Sequence, residues 1–323
     1  MNSSTAERRL QLKATVARAE NESVRLSEAV QLYGALIDAL MLETPAIELP
    51  ELTPQTIEAK LAAGKPVLYE ESLGFDGEAI RSLLGRLCDI TEEYNKLDGR
   101  LNMNPRQASP WPWSRQRKEP TAIEQRVVAA EPGERAAAAA QIRRALASGK
   151  LDFERLLDQL VTDQDGGLTA LADTAQVDPN LLTTLARFAM RPTLTAYADA
   201  YQGMVDANAD RWMRGTCPLC GGPAVFGEYR DVDQSRHLRC AACGTSWQFR
   251  RLECANCGSD DFRSLAQIHL AEDTSRFVDT CDVCHHYIKG INASEPISTD
   301  LLPLEDLLTI HLDAMAEQNG YKR

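Results

Sequence analysis

Eight of the nine cysteines lie between residues 217 and 284, in four Cys-x-x-Cys pairs. Two intervening residues let a tight turn direct both sulfurs at one metal ion, at about 2.3 Å. Two such turns complete a tetrahedron, and paired thiols in a reducing compartment are more often metal ligands than disulfides. The sequence therefore predicts two tetrathiolate metal sites. The pairs are Cys217 with Cys220, Cys240 with Cys243, Cys254 with Cys257, and Cys281 with Cys284.

The spacing of the pairs indicates which of them share an ion. Nineteen residues separate the first pair from the second and 23 separate the third from the fourth, whereas only ten join the second to the third. The longer gaps suit a ribbon that closes its own site, and interleaved pairing is the alternative. We therefore assign the first two pairs to one ion and the last two to another. Site 1 is Cys217, Cys220, Cys240 and Cys243, and site 2 is Cys254, Cys257, Cys281 and Cys284.

The ligand set restricts the metal without fixing it. A four-thiolate site has no open coordination position, so it cannot activate water as catalytic zinc does, and structural zinc is one interpretation. Tetrahedral sulfur ligation is equally compatible with iron. The Cys217-Pro218-x-Cys220-Gly221 form of the first pair resembles a rubredoxin knuckle, which favours iron. We predict two ions per chain, iron with zinc as the alternative.

Other reactive side chains have structural interpretations. Cys88 lies in an apolar helical pattern and is expected to be a small buried residue. His285 and His286 follow the fourth pair and could replace a thiolate in site 2, although a solvated pair is expected. The chain carries no Gly-rich phosphate loop, nucleophile elbow or His-Glu-x-x-His motif. We therefore predict no catalytic residue, no other cofactor site and no enzyme activity.

The elements that must position these cysteines differ along the chain. Residues 1–210 have helical periodicity, interrupted by a proline- and tryptophan-rich linker at about 104–121. Short β-like runs alternate with cysteine turns after residue 220, and an amphipathic helix is expected at Leu302–Gln318. The predicted class is α+β, a mainly helical domain followed by two tandem rubredoxin-like or zinc-ribbon modules and a C-terminal helix. The predicted bounds are 1–210, 211–252, 253–295 and 296–323.

Charge and hydropathy argue against two classes of partner, nucleic acids and membranes. The net charge is −12, and residues 211–290 hold ten basic and ten acidic side chains. Each loaded tetrathiolate site adds about −2, which makes a poor surface for nucleic-acid phosphates. There is no apolar run of about 18 residues and no signal-like N-terminus. We therefore expect no nucleic-acid binding, no membrane insertion and a cytoplasmic location.

Residues on both sides of the cysteines resemble a known family. The segment Phe188-Ala189-Met190-Arg191-Pro192 precedes Trp212-x-x-Gly215-x-Cys217. Arg239-Cys240-x-x-Cys243-x-x-x-Trp247-x-x-x-Arg251 runs on to the third pair, and Leu312-Asp313-x-x-Ala316-Glu317-x-x-Gly320-Tyr321 stands near the end. Together, from about residue 180 onward, these motifs resemble the FdhE family of formate dehydrogenase accessory proteins.

The resemblance implies a cytoplasmic, non-catalytic protein needed to make active formate dehydrogenase. It implies contact with the catalytic subunit of that enzyme, and rubredoxin-like iron on the eight cysteines. His285 after the fourth pair is a variation on the pattern. A redox role for the ions is a second hypothesis. The alternatives are a structural zinc-ribbon interaction protein without a redox role, or a nucleic-acid-binding ribbon protein.

Overall fold

The computed structural model describes residues 5–22, 26–45, 47–71, 73–97, 132–162, 167–230, 233–270 and 273–323. The chain divides into two compact units. Unit 1 is Met1–Ala46 with Phe75–Pro192, and unit 2 is Ile47–Gly74 with Thr193–Arg323. Unit 2 contains both cysteine clusters. The linker predicted at about 104–121 lies outside the described residues.

Helices make up most of the chain before the cysteines, and their ends carry the expected caps. The Thr53 hydroxyl accepts the Thr56 N–H at 3.2 Å, with a proline in the first turn behind it. The Asp76 carboxylate accepts the Ala79 N–H at 3.0 Å. The described helices before the sheet are α1 (Thr5–Glu22), α2 (Ser27–Met41), α3 (Pro54–Ala62), α4 (Gly77–Leu97), α5 (Pro132–Ala147), α6 (Phe153–Thr162), α7 (Gly167–Ala175) and α8 (Pro179–Asp206).

Apolar faces with three-four spacing form the core of unit 1. Val30, Ile37 and Leu40 of α2 are buried as the spacing predicts. Tyr33 meets Phe188 edge to face, with ring centroids 5.6 Å apart. The Cys88 thiol of α4 is buried, in agreement with its predicted packing role.

Helix α8 contains Pro192, a residue type that commonly ends or kinks a helix. The helix runs through that proline without interruption, although a proline has no N–H for the helical hydrogen bond. Its later turns belong to unit 2, where the Tyr197 hydroxyl donates to the Glu48 carbonyl at 3.1 Å and the Tyr201 hydroxyl to the Pro50 carbonyl at 2.7 Å. These bonds hold residues 47–74 against α8.

One six-stranded sheet carries both predicted ribbons, in the order β3-β2-β1-β6-β5-β4. The first three strands form one antiparallel group and the last three another. Strands β1 and β6 pair in parallel and join the two groups. The strands are β1 (Ala224–Arg230), β2 (Ser235–Cys240), β3 (Ser246–Gln248), β4 (Leu265–Leu270), β5 (Asp273–Cys281) and β6 (His286–Ala293).

Two helices, α9 (Leu302–Leu308) and α10 (Ile310–Gln318), stand where the sequence predicted one. The break falls at Thr309, whose buried hydroxyl donates to the Glu305 carbonyl at 2.7 Å. This back-bonding satisfies the hydroxyl within the chain and favours a bend. Helices followed by a cysteine-bearing sheet and C-terminal helices confirm the predicted α+β class.

Candidate metal centres

The first and second Cys-x-x-Cys pairs come together in unit 2, in the arrangement assigned to site 1. The Cys217 and Cys243 sulfurs are 3.6 Å apart, and the Cys220 sulfur lies 3.5 Å from those of Cys240 and Cys243. All four sulfurs lie within 4.8 Å of one another. The site is deeply placed, with Cys217, Cys240 and Cys243 each 0% exposed.

The third and fourth pairs form a second cluster, site 2. The Cys254 and Cys284 sulfurs are 3.6 Å apart, and those of Cys257 and Cys281 are 3.8 Å apart. These four sulfurs also lie within 4.8 Å of one another. The interleaved pairing kept open at the sequence level does not describe the two groups.

Both clusters have the dimensions of a tetrahedral thiolate site. Four sulfurs at about 2.3 Å from one ion stand about 3.8 Å from each other, close to the separations in both clusters. A disulfide would need about 2.05 Å between sulfurs, and all nine cysteines are free thiols. The two four-cysteine clusters could therefore bind two metal ions, and the ligand chemistry fits either zinc or iron.

The turns between paired cysteines explain the glycines that follow them. Gly221, Gly244 and Gly258 have φ of 80°, 77° and 72°, a region that glycine enters without a Cβ penalty. The glycine N–H closes each turn onto the first cysteine's carbonyl, as from Gly221 to Cys217 at 3.0 Å. His285 takes the same place in the fourth turn, with a φ of 54°.

In two of the turns, the backbone N–H that points at a sulfur belongs to the residue before the second cysteine, not to the glycine. The Leu219 N–H donates to the Cys217 sulfur, and the Asn256 N–H to the Cys254 sulfur, each at 3.4 Å. Hydrogen bonds of this kind, donated by groups that surround the ligands, stabilise a metal-binding thiolate. The glycine conformation and the sulfur bond therefore belong to different residues of the same turn.

The thiols of site 1 interact strongly, and their pKa values shift in opposite directions. Burial and hydrogen bonds from three neighbouring thiols raise the pKa of Cys217 well above its ordinary value. Hydrogen bonds with Cys217, Cys220 and Cys243 lower the pKa of Cys240. A bound divalent ion would instead favour the thiolate form of every ligand.

A chain segment from the N-terminal part of unit 2 covers the first turn of site 1. The Val67 N–H donates to the Pro218 carbonyl at 2.8 Å, and the Leu68 N–H to the Leu219 carbonyl at 2.9 Å. Lys60 of α3 holds this covering segment (residues 66–71) by donating to the Val67 carbonyl at 3.0 Å, and also to Glu71. Helix α3 therefore positions site 1 from about 150 residues away in sequence.

Sequence reasoning did not assign this covering role to residues 60–71. A local signal was present, because Gly64 and Pro66 mark a turn directly after α3. Gly64 has a φ of 70°, and a Cβ there would stand 2.2 Å from the Arg214 guanidinium. The glycine thus permits the turn after α3 and leaves room for the Arg214 side chain.

A buried ion pair holds the second turn of site 1. Arg239 donates to the fully buried Glu228 at 2.6 Å, to the Gly244 carbonyl at 3.3 Å and to the Ile297 carbonyl at 2.7 Å. Burial lowers the pKa of Arg239, and the carboxylate opposes that effect. The arginine therefore binds a buried carboxylate and neighbouring carbonyls at the second turn.

Arg236 connects the sheet with the approach to site 2. It donates to the Glu253 carbonyl at 2.9 Å, directly before Cys254, and lies 2.9 Å from the Asp279 carboxylate. The Tyr229 hydroxyl donates to the same carboxylate at 2.6 Å. Strands β1, β2 and β5 thereby share one buried polar group beside site 2.

The segment after α10 lies against the last turn of site 2. The Lys322 N–H donates to the His285 carbonyl at 2.8 Å, and the Tyr321 hydroxyl to the Asp282 carboxylate at 2.6 Å. His286 turns its Nδ1 to the Cys284 carbonyl at 2.9 Å. These contacts explain Gly320-Tyr321 of the family pattern as a support for the turn.

Comparison with known proteins agrees with this architecture. Residues 216–251 match the family model described as FdhE, central domain. A "Protein FdhE homolog" of Aquifex aeolicus is 32% identical over 135 residues, which cover 41% of this chain and 46% of the relative. "Protein FdhE" of Escherichia coli O127:H6 is 31% identical over 112 residues, covering 33% and 35%. The chain thus matches less than half the length of these curated relatives.

A solved structure extends the likeness of fold to nearly the whole chain. The crystal structure of the FdhE protein from Pseudomonas aeruginosa has a TM-score of 0.52 with this chain, covering 99% of it and 91% of the other. The sequence identity is 20%, so this match shows the fold alone. The chain is therefore similar to FdhE proteins in part of its sequence, and it shares its fold with one of them.

Proposed function

We propose that this protein is a cytoplasmic accessory protein needed for active formate dehydrogenase, and that it binds the enzyme's catalytic subunit. The observation that carries the proposal is the match of residues 216–251 to the FdhE central domain, a stretch that contains all of site 1. The accessory role is what membership of the family implies. In the described residues no helix is long and apolar enough to cross a membrane.

Each cysteine cluster holds one metal ion in this proposal, iron with zinc as the alternative. A bound ion ties two turns together, and iron would in addition exchange one electron. The chain's own residues bury the sulfurs and fix the turns through Arg239, Arg236 and the covering segment. Because four thiolates would fill the coordination shell, neither ion would activate water, in keeping with the proposed non-catalytic role.

A protein partner fits the charge of this region better than nucleic acid. Ten basic and ten acidic side chains lie in residues 211–290, and two loaded sites add negative charge. Arg236 and Arg239 are 3% exposed and already bound to carboxylates and carbonyls. They therefore present no cationic surface to phosphates.

Deletion and co-purification test the proposal. We expect the deletion strain to lose formate dehydrogenase activity, and the tagged catalytic subunit to co-purify with the intact protein. Cys240→Ser should fail to restore activity, whereas Cys88→Ser, at a buried thiol outside both clusters, should restore it. Full enzyme activity in the deletion strain, with no co-purification, would overturn the proposal.

A structural interaction protein without a redox role is the second candidate, favoured by the closed ligand sets. Protein purified without oxygen distinguishes it by elemental analysis and absorption spectra. Two iron ions with thiolate-to-iron bands that bleach on reduction would support a redox role. Two zinc ions without such bands would leave only the structural role.

A further inference from the structure

The two sites have the same ligands but very different surroundings. The three most buried sulfurs of site 1 are 0% exposed, and Cys220 is half-buried. In site 2 Cys257 is exposed and Cys284 half-buried. An incoming ligand could therefore reach a sulfur of site 2 without any movement of the chain.

Equivalent positions in the first turns of the two sites show why the exposure of their sulfurs differs. Leu219 and Asn256 make the same N–H bond to sulfur, but Leu219 is 1% exposed and Asn256 is exposed. The covering segment binds the Leu219 carbonyl through the Leu68 N–H. Asn256, Cys257 and Gly258 are all exposed, in contrast to the half-buried Cys220 and Gly221.

The second turns differ in the same direction. Gly244 is buried, and a Cβ there would stand 2.1 Å from Thr299. His285, at the matching position, is exposed, as are Asp282 and Val283 within its turn. Tyr321 and Lys322 contact this turn, but the side chains of Asp282, Val283 and His285 remain exposed.

We propose that site 2 is the exchangeable metal site of this protein, opened from the Cys257 side, and that site 1 retains its ion. Exchange would be a ligand substitution, in which a donor atom of an incoming chelator or small thiolate would replace the Cys257 sulfur on the ion. The released thiolate is then available to thiol reagents. No electron is transferred, and a divalent cation can re-enter by the reverse step.

This inference rests on the proposed metal binding but not on formate dehydrogenase. The full chain is first loaded with zinc, and elemental analysis must give two ions, since fewer would fail the metal proposal itself. Excess 4-(2-pyridylazo)resorcinol then captures released zinc. We expect one equivalent to leave about tenfold or more faster than the other. Release of both ions in one phase would overturn the inference.

Alkylation identifies the faster site. N-ethylmaleimide added during the fast phase should modify Cys257 and Cys284, as read by peptide mass spectrometry, while Cys217 and Cys240 stay unmodified. Cys88 is an internal control, because its burial raises the pKa of that thiol to about 12. Modification of Cys217 and Cys240 first would assign the fast phase to site 1 and contradict the inference.

A pair of lysine variants tests why site 1 is slow. Lys60→Met keeps the length of the side chain but removes its bonds to the covering segment. It should accelerate the slow phase by about tenfold and leave the fast phase unchanged. Lys65→Met is the matched control, because the exposed Lys65 side chain meets the segment only through exposed contacts, an ion pair with Glu70 at 3.4 Å and the Tyr69 ring at 5.0 Å, whereas Lys60 binds its backbone carbonyls. An unchanged slow phase in Lys60→Met would refute the protective role of the segment.

Discussion

Gly215 illustrates how a single residue joins the environments of the two metal centres. It precedes Cys217 by two positions, and a Cβ at Gly215 would stand 1.5 Å from the Ala255 carbonyl oxygen in the first turn of site 2. That neighbour is backbone, so a side chain at residue 215 must displace the turn that carries Cys254 and Cys257. The glycine is thus required by close approach rather than by its φ.

We expect Gly215→Ala to lower the free energy of unfolding by about 1–3 kcal/mol, as overpacking does, and to weaken metal binding at site 2. Denaturant unfolding and metal counting measure both effects. Gly85→Ala is the matched control, since nothing lies within 4 Å of a Cβ in that helical position. It should gain about 0.5–1 kcal/mol through helix propensity. Equal stability of the two variants would contradict the close contact.

His285 shows a residue in a conformation that favours glycine. Its φ is 54°, its N–H donates to the Cys281 carbonyl at 2.8 Å, and its carbonyl accepts from Lys322. Neither His285 nor His286 belongs to the four-sulfur group of site 2. The backbone of His285, rather than its imidazole, therefore supports the turn.

His285→Gly should keep both ions and stay within about 1 kcal/mol of the parent, because glycine enters this φ without penalty. His285→Val should lose about 1–2 kcal/mol, because a β-branched residue is strained there. Calorimetry with metal counting compares the two. Loss of the site 2 ion in His285→Gly alone would show that the imidazole is a ligand.

At the scale of elements, a buried lysine anchors the last helices to the sheet. Lys289 of β6 is 1% exposed and donates to the Asp313 carboxylate of α10 at 2.9 Å and to the Asp306 carbonyl of α9 at 2.9 Å. The Tyr287 hydroxyl donates to the other Asp313 oxygen at 2.8 Å. Val278 and Leu312 pack beside this group, so charge and apolar contact fix α10 together.

Lys289→Met should destabilise the protein by about 3–5 kcal/mol, because it leaves a buried carboxylate without its main cation. Adding Asp313→Asn should recover part of the loss, since the remaining amide is neutral. Denaturant unfolding of both variants and of Asp313→Asn alone completes a double-mutant cycle. Additive losses would show that the two side chains do not interact.

At the scale of the whole molecule, the metal centres are confined to unit 2 while much of the helical content belongs to unit 1. Trp212 and Trp247 are buried near site 1, where their indoles donate to the Thr216 carbonyl at 2.8 Å and to the Arg214 carbonyl at 3.0 Å. Trp247 therefore packs under the metal loops and is not a surface recognition residue. These two indoles can report the state of unit 2.

Removal of both ions should loosen unit 2, because structural metal binding contributes directly to folding free energy. In a W111F/W113F background the two remaining tryptophans should shift to longer emission wavelength on chelation and return when zinc is restored. Far-UV circular dichroism should retain most of its helical signal. Unchanged emission in protein shown to be metal-free would contradict a structural role for the ions.

The sequence by itself determined the local features. Paired cysteines two residues apart, glycines after three pairs, and three-four apolar spacing each act over a few residues, so their turns and helices could be predicted. The two four-cysteine groups also followed from the gap lengths, because a ribbon closes most readily on itself. Cys88 was likewise predicted to be buried, from the apolar helical pattern around it.

Only the tertiary structure decided the features that depend on distant contacts. The parallel pairing of β1 with β6 joins strands about 60 residues apart, and no local pattern specifies that partner. The single helix through Pro192 and the break at Thr309 depend on packing around them. The unequal exposure of the two sites arises from residues 66–71, which cover the first turn of site 1 through backbone hydrogen bonds. The Cys-x-x-Cys motif of that turn does not indicate this cover. The same Cys-x-x-Cys spacing predicted four sulfur ligands at each centre. The fold around the two centres decided how exposed each set of sulfurs is.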